Sequence, residues 1–577
     1  MSDIDPILLA VLNGRLVQIA DEMDATLYRS AFNPIIAEAH DACHGLYHAE
    51  TGATLVQGTT GLPIFVGAMA FAVKAVIDKA KVDGNLEEGD TYIFNDPYDG
   101  GTHLNDFRLV RPLFWNGKLF CWLASVGHWL DVGGNVPGNF NAKATESFQE
   151  GFRIPPVKLT RAGVMQHDII DILGANSRVP QSNWGDLNGQ LNALDLGERR
   201  VKALLEDYGD DLIVTAMDVL TARAEKLMRA NIAALPDGTY SYDDFLDNDG
   251  ITDKPLRIAL DLTVSGETMR LDFSRSSPPC DGPLNIALST TVACCYVALK
   301  HIFTDVPANA GCLAPIDFVI PDTTLLGVSA PRPVGGYTET ILRVIDTVFG
   351  AFAKVAPERA NGSPYATINA LSLSGWREHG RRWVMFCFFG GGLGGNPETD
   401  GLNHGNNPIS TATIPPAEIL ESLYPVMFTQ WALRPDSGGP GFNRGGLGAI
   451  YEIEALADGA TDVSLLGERG KFPPFGVNGG GSAALNSFFY DTADGEKNPS
   501  MVSKVADVKI AKGQHVRLET PGGGGFGDPL TRDAARVARD VRLGYISSEA
   551  ARRDYRVVIG EGGAVDQAAT TTLRSEA

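Results

Sequence analysis

The feature that most restricts the fold is a pair of apolar runs, RLVRPLFW and KLFCWLASVG, that flank Asn116 and Gly117. Asn-Gly is a favoured pair in two-residue type I′ turns, so this stretch predicts a β-hairpin. With these two residues as the turn, the pairing register places Asp106 opposite Gly127 at the open end of the hairpin. Because Pro112 removes one ladder donor, an edge strand or a bulge would shift this register by one residue.

The hairpin brings two His-x-x-Asp motifs together. NDPYDGGTHLNDF immediately precedes the first run and contains His103 and Asp106, whereas GHWLD closes the second run and contains His128 and Asp131. Imidazole and carboxylate groups are ligands of zinc and manganese. We predict that His103, Asp106 and His128 bind one divalent ion and that Asp131 orients a ligand histidine. The alternative from spacing alone is a set of loop residues that bond to turn backbones.

Composition narrows the classes of function. The net charge of −22, from 48 basic and 70 acidic side chains, repels phosphate backbones and anionic lipid, so we expect no nucleic-acid partner. The seven cysteines include no C-x-x-C pair. This pattern argues against a disulfide framework and a thiolate zinc site, and it fits a reducing cytoplasm.

The first residues predict an amphipathic helix rather than a signal peptide. Asp5 is placed to cap this helix, Pro6 occupies its first turn, and apolar residues recur at helical spacing from Leu8 to Leu27. The most apolar later stretch, LPIFVGAMAFAV, stops at Lys74 and is shorter than the roughly 20 residues of a membrane span. We therefore expect a cytoplasmic protein that does not cross a membrane.

The periodicity along the chain predicts a large, multi-lobed α+β protein with a helical N-terminal region and mixed or antiparallel sheets. We divide it into a metal-site region (1–235), a central α+β region (236–380) and a glycine-rich β region with terminal helices (381–563). A disordered tail (564–577) is expected to follow. Clusters among the 65 glycines predict glycine-rich loops with tight turns or close backbone approaches.

Several weaker motifs carry no function in this interpretation. GGGLGG and GGGGFG satisfy G-x-G-x-x-G, but Pro397 and Pro529 follow them and no βαβ unit is evident. No phosphate-binding P-loop is present, so we expect ATP to bind elsewhere. Cys294 and Cys295 fit a helix core, and Cys312 fits a turn without a neighbouring base.

The quoted motifs resemble the hydantoinase B family. The resemblance rests on N-D-P-Y-x-G-G-T-H-x-x-D, G-H-W-x-D-V-G-G-x-x-P-G and E-G-x-x-I-P-P-V-K-L. It continues through PANAGCLAPI, LRPDSGGPGFNRGGLG and ETPGGGGFGDPL, and so covers nearly the whole chain. The family includes subunits of ATP-dependent N-methylhydantoinases, oxoprolinases, caprolactamase and the acetone and acetophenone carboxylases.

This resemblance implies a ligand set and a partner. The matching positions are Asp41, His103, Asp106 and His128, which would hold one divalent ion, zinc or manganese. Family members pair with a hydantoinase A type subunit, so the resemblance implies a hetero-oligomer with ATP and magnesium in the partner.

The sequence departs from the family around Asp41. It has EAHDACHGL, where many relatives have an arginine before the aspartate and Phe-Ser after it. His40, Cys43 and His44 would alter the metal or the pocket if they were ligands. We favour the simpler interpretation, a crowded turn without a ligand role.

The resulting hypothesis is a metal-containing subunit that opens a hydantoin, oxoproline or lactam after the partner phosphorylates the amide. Asp131 and Glu150 are the candidate catalytic residues; Glu146 and Glu150 could share one helix face, although a solvated face is the simpler interpretation. Two alternatives are a subunit of a ketone carboxylase and a non-catalytic, metal-stabilised scaffold.

Overall fold

The computed structural model describes residues 4–377, 380–410 and 412–576. The helices are α1 Pro6–Ser30, α2 Pro34–Ala37, α3 Pro63–Asp83, α4 His167–Ala175, α5 Pro180–Tyr208, α6 Asp210–Ala233, α7 Leu288–Ile302, α8 Tyr337–Val355, α9 Ala417–Leu423, α10 Ala534–Arg542, α11 Ser548–Tyr555 and α12 Gln567–Ser575.

The strands follow the predicted alternation of helical and extended regions. They are β1 Ala42–His48, β2 Thr54–Gln57, β3 Thr91–Phe94, β4 Asp106–Trp115, β5 Lys118–His128, β6 Val157–Arg161, β7 Val164–Met165, β8 Gly238–Leu246, β9 Leu256–Ser265, β10 Thr268–Asp272, β11 Ile316–Val319, β12 Ala370–Trp376, β13 Arg382–Cys387, β14 Val426–Leu433, β15 Ala449–Ala455, β16 Thr461–Leu466, β17 Ser487–Thr492, β18 Gly495–Lys497, β19 Lys504–Ile510 and β20 His515–Glu519.

These strands form sheets with the orders β2-β1-β5-β4-β3-β6-β7, β11-β10-β9-β8, β13-β12-β16-β19 and β14-β15-β20-β17-β18. Neighbouring strands run antiparallel except for the parallel pair β10 and β11. The predicted α+β class is therefore confirmed.

The hairpin forms at its predicted turn. Asn116 and Gly117 have φ angles of 49° and 75°, as both positions of a type I′ turn require. Trp115 pairs with Lys118 directly across this turn. The local turn chemistry thus sets where β4 reverses into β5.

The register at the other end of the hairpin differs by one residue from the simple count. Asp106 pairs with His128 instead of Gly127, because the ladder shifts just beyond Leu113. The irregularity directly follows Pro112, which lacks an amide hydrogen for a regular ladder. The bulge places the two motifs more directly opposite each other.

The first sheet is packed on both faces. Alternate residues of β4 and β5, such as Leu109 and Leu123, share a core with α1 and α5. Their neighbours Val110 and Ala124 belong to a larger core with α3, α7 and α8. Because this larger core extends from Ile35 to Leu466, the predicted regions share one interior.

Many glycines pack backbone against backbone. A Cβ atom on Gly445 would lie 1.7 Å from the carbonyl oxygen of Gly523, and one on Gly394 would lie 1.8 Å from that of Gly362. No side chain fits in such gaps, so these glycines are needed for close approach.

The prediction of a disordered tail is wrong for most of its length. Gln567–Ser575 forms α12, with Asp566 as its N-cap. The Arg574 guanidinium donates to the carbonyl oxygens of Tyr555 and Arg532 at 3.2 and 2.8 Å.

Among the helices described, none is long and apolar enough to span a bilayer.

Candidate metal centre

Three strand ends bring the predicted ligands to one edge of the first sheet. Asp41 immediately precedes β1, Asp106 begins β4 and His128 ends β5. Strand β1 pairs with β5, and the His128 amide donates to the Asp41 carbonyl oxygen at 3.2 Å. The position that only the family resemblance supplied thus lies beside the two that the hairpin joins.

The Asp106 carboxylate is held in a fixed orientation. His103 Nδ1 lies 2.7 Å from Asp106 Oδ2, and the Thr102 hydroxyl donates to the same oxygen. The buried Arg108 guanidinium donates to Thr102 Oγ1 and to the Asp106 carbonyl oxygen, both at 2.8 Å. This arrangement leaves the second carboxylate oxygen free.

Five buried polar atoms of the four predicted ligands have no hydrogen-bond partner. They are Asp41 Oδ1, His103 Nε2, Asp106 Oδ1 and both ring nitrogens of His128. Buried polar atoms are normally bonded, so such a group indicates a missing ligand. Within the described residues, however, no three His, Cys, Asp or Glu side chains are arranged as a ready ion site. The donor chemistry fits a divalent ion, and the ligand assignment stays a prediction.

The pKa shifts of Asp106 and His128 favour the states that bind a cation, whereas that of Asp41 favours the protonated carboxyl. Burial would raise the pKa of Asp106, but the charges of His103, His128 and Arg108 and the His103 hydrogen bond lower it to about 2. Burial and the charge of His103 lower the pKa of His128 to about 3. Burial and the neighbouring Asp106 raise the pKa of Asp41. A cation between these carboxylates would reverse this last effect.

Aromatic rings from distant parts of the chain enclose the histidines. The Tyr337 ring centroid is 4.7 Å from that of His103, and the Phe386 centroid is 5.2 Å from that of His128. Phe140 stacks on Phe386 at 4.7 Å. Sequence reasoning missed these three residues, since no spacing linked them to the motifs.

Asp131 is buried and organises the loop that follows His128. Its two carboxylate oxygens accept hydrogen bonds from the amides of Gly133, Gly138 and Arg178 at 3.0–3.1 Å. The Arg178 guanidinium adds an ion pair at 3.0 Å. The predicted contact to a ligand histidine is absent from this arrangement, because both His128 nitrogens lack a partner.

Glu150 is also buried and holds the segment before α8. Its oxygens accept from the amides of Val334 and Gly335 at 3.0 and 2.6 Å. Burial raises the pKa of Glu150 to about 7, although these two hydrogen bonds lower it. The possibility that Glu146 and Glu150 share a helix face is not realised, because Ser147–Gln149 is a 3-10 turn. The favoured interpretation of a solvated face holds for the exposed Glu146 but not for the buried Glu150.

The three unusual residues near Asp41 have other contacts. The His40 ring stacks on Tyr28 at 4.2 Å, and Cys43 is part of the core. His44 lies in β1 with Nδ1 2.7 Å from Asp24 and Nε2 2.9 Å from the Ser125 hydroxyl. Each residue is thus accounted for by packing or by hydrogen bonds within the chain.

A family profile and the sequences of related proteins both match this chain over most of its length. The profile of the family described as Hydantoinase B/oxoprolinase matches residues 5–529. The chain is 30% identical to the B-type subunit of a putative D-/L-hydantoinase from Pseudomonas sp. (strain NS671), over all of this chain and 98% of that one. It is 32% identical to the beta-type subunit of the Pseudomonas jessenii caprolactamase, over the full length of both.

Two solved structures have the same fold. The crystal structure of the ATP-dependent caprolactamase from Pseudomonas jessenii superposes with a TM-score of 0.90 at 31% identity, over the full length of both chains. Nucleotide-free acetone carboxylase also superposes with a TM-score of 0.90, at 21% identity, over 99% of this chain and 83% of the other.

Proposed function

Because this chain belongs to the hydantoinase B/oxoprolinase family, we propose that it is the metal-binding component of an ATP-dependent, two-component enzyme that opens a cyclic amide. The ion is zinc or manganese, and its ligands are Asp41, His103, Asp106 and His128. The observation that carries this proposal is the meeting of these residues at one sheet edge with five unpartnered buried atoms.

The protonation states of two of the four proposed ligands support this assignment. An ionised carboxylate and a neutral imidazole are the forms that ligate a cation. The low pKa values of Asp106 and His128 keep both residues in those forms at neutral pH. When bound, a divalent ion supplies Lewis acidity that makes water nucleophilic near neutral pH and polarises a carbonyl oxygen.

The surrounding residues position these ligands. Thr102 and Arg108 fix the Asp106 carboxylate. Asp131 and Glu150, predicted as catalytic groups, fit a positioning role better, because their oxygens hold backbone amides of loops beside the site. The rings of Tyr337 and Phe386 pack against His103 and His128.

A separate partner explains where activation occurs. The hydantoinase and caprolactamase relatives are each one subunit of their enzyme, and the solved caprolactamase is ATP-dependent. This chain has no P-loop motif. We infer that a hydantoinase A type partner with ATP and magnesium phosphorylates the amide oxygen, which removes the amide resonance that protects the bond. Water then attacks the activated amide carbon at the site of this chain, the C–N bond breaks, and hydrolysis of the resulting acyl phosphate gives the carboxylate and phosphate.

The test is an isotope experiment on the co-expressed pair with ATP, metal and a cyclic amide such as hydantoin or ε-caprolactam. In bicarbonate-depleted buffer prepared with ¹⁸O-water, we expect ring opening and at least one solvent oxygen in the new carboxylate, measured by mass spectrometry. Reactions without ATP or without the partner are the controls, and both should give no product.

Other outcomes favour the alternatives. Incorporation of labelled bicarbonate carbon into a new carbon–carbon bond with a ketone substrate would replace hydrolysis by carboxylation. The fold shared with acetone carboxylase does not by itself favour that reaction, since folds host many chemistries. Full metal content without any turnover would favour a scaffold.

A further inference from the structure

A cavity lies on the sheet β13-β12-β16-β19, outside the metal centre. Its volume is about 590 Å³, within the range of small-molecule sites. Ser372 and Ser374 of β12 and Ser464 of β16 line its floor, and Trp376 and Arg382 stand at one end. The floor is therefore a strip of hydroxyl groups.

This cavity adjoins the histidines through one shared neighbour. Ser372 pairs with Phe386 across β12 and β13, and the Phe386 ring stacks on His128 with centroids 5.2 Å apart. The loop after His128 closes the cavity from above, since a Cβ atom on Gly138 would lie 2.5 Å from Ser372 Oγ. A molecule on the serine strip is thus one phenyl ring from the metal centre.

Two polar atoms at the cavity lack partners within the protein. Ser372 is only 3% exposed, and its hydroxyl has no hydrogen-bond partner. Arg382 donates from Nη2 to Ser374 and Asp462, but its buried Nε–H is unpartnered. A hydroxyl accepts as well as donates, whereas a guanidinium N–H only donates. Ser372 Oγ can therefore accept from an amide N–H, and Arg382 Nε–H can donate to an amide carbonyl oxygen.

The charges around the cavity are already balanced. Arg382 pairs with Asp462 at 2.9 Å, and Asp507 pairs with Lys143 at 3.5 Å. Arg178 pairs with Asp131. An anionic ligand would have to break one of these pairs to gain a counterion, so the cavity favours an uncharged ligand.

The exposed end offers a flat aromatic surface. The Trp376 side chain is 61% exposed, which is unusual for so large an apolar group. The Arg382 guanidinium lies 4.9 Å from the centroid of the Trp376 ring and covers one face of that ring. The ring can still contact a small planar molecule that enters the cavity.

We propose that this cavity binds the uncharged cyclic amide before it reaches the metal centre, with Ser372 and Arg382 as its hydrogen-bond partners and Trp376 at the entrance. The proposal rests on the proposed function and restricts its substrate: neutral hydantoins and lactams are favoured over 5-oxoproline, whose carboxylate is charged at neutral pH.

Calorimetric titration of the full chain, without ATP, tests this proposal. Hydantoin and ε-caprolactam should bind, and 5-oxoproline should bind at least about tenfold more weakly, because its charge lacks a free counterion. Ser372→Ala should weaken binding about fivefold, the usual effect of losing one hydrogen bond. Trp376→Ala should also weaken it, whereas Trp184→Ala, at another exposed tryptophan, should not.

The outcomes separate the cavity from the proposed function. Undetectable binding of both neutral amides, binding unchanged by both cavity variants, or 5-oxoproline binding as tightly as hydantoin would overturn the cavity assignment. Retained binding without turnover in the isotope experiment would reject the proposed function alone. Unchanged KM for ring opening in Ser372→Ala and Trp376→Ala would reject the cavity while leaving the function standing.

Discussion

Two buried clusters of polar side chains differ in how their charges are satisfied. The histidine cluster consists of Asp41, His103, Asp106 and His128. The arginine cluster consists of Asp244, Arg343, Asp346, Glu468, Arg469 and Lys504, and each of its members lies within 4 Å of an opposite charge. It ties α8 to β8, β19 and the segment after β16.

Side chains without any partner distinguish the two clusters. Some atoms of Arg343, Asp346 and Arg469 lack hydrogen bonds, but all three side chains are paired with opposite charges through other atoms. His128 has a partner at neither ring nitrogen. Burial alone therefore does not mark a functional site. A buried charge with its counterion holds elements together, whereas a buried donor set without one indicates a ligand from outside the chain.

The largest expected effect is loss of metal from the histidine cluster. His103→Ala, Asp106→Ala and His128→Ala each remove one of four proposed ligands, so both a bond and the coordination geometry are lost. We expect about one divalent ion per chain in the native protein. Each variant should lose most of this ion by elemental analysis, and turnover with the partner should fall by at least about 100-fold.

His44→Asn is the matched control, because His44 is equally buried but bonds to Asp24 and Ser125. It should keep its metal. Full occupancy in all three ligand variants, with unchanged folding, would refute the site and remove the contrast between the clusters.

The next effect is on stability. Arg469→Met leaves the buried carboxylates of Asp244 and Asp346 short of a counterion. Breaking a buried pair in this way costs about 3–5 kcal/mol. The free energy of unfolding, measured by urea titration, should fall accordingly, while the metal content per folded chain should not change. A loss of metal comparable to that of His128→Ala would show that the two clusters act as one.

The sequence predicts the parts of the site that local chemistry determines. The Asn116-Gly117 turn alone joins the two His-x-x-Asp motifs, because a two-residue turn sets the pairing of its strands. The missing amide hydrogen of Pro112 indicated that a one-residue shift was open, but its occurrence between Leu113 and Phe114 depends on how β4 fits between β5 and β3. The position of Asp41 came only from the family resemblance, because the pairing of β1 with β5 joins residues about 80 apart in sequence.

The sequence also could not predict which residues enclose the histidines, because these residues are far from the histidines along the chain. Tyr337 begins α8 and Phe386 lies in β13, but no sequence pattern links either residue to His103 or His128. The C-terminal helix was missed because much of its support is tertiary, through Arg574. Long-range packing, rather than local propensity, decides these features.

Asp186 is a buried carboxyl that belongs to neither cluster: it has no counterion among the described residues and is not one of the proposed metal ligands. It accepts from the amides of Phe32 and Asn33, and its second oxygen is unpartnered. The Asn33 side chain in turn donates to the His128 carbonyl oxygen at 2.8 Å. Through Asn33, Asp186 is thus linked by hydrogen bonds to the backbone of His128.

The smallest expected effect is the pH dependence that Asp186 imposes on stability. Burial raises the pKa of Asp186 to about 7, against the two amide hydrogen bonds, which lower it. The folded chain thus favours the protonated form, and this stabilisation is complete below pH 4 and is lost as the pH rises to about 7. Asp186→Asn keeps the acceptor and cannot ionise. Relative to the native chain, it should gain on the order of 2–4 kcal/mol between pH 4 and 8, measured by urea titration at each pH. A constant difference across this range would mean that Asp186 is ionised throughout the range in the folded chain, and would refute this prediction.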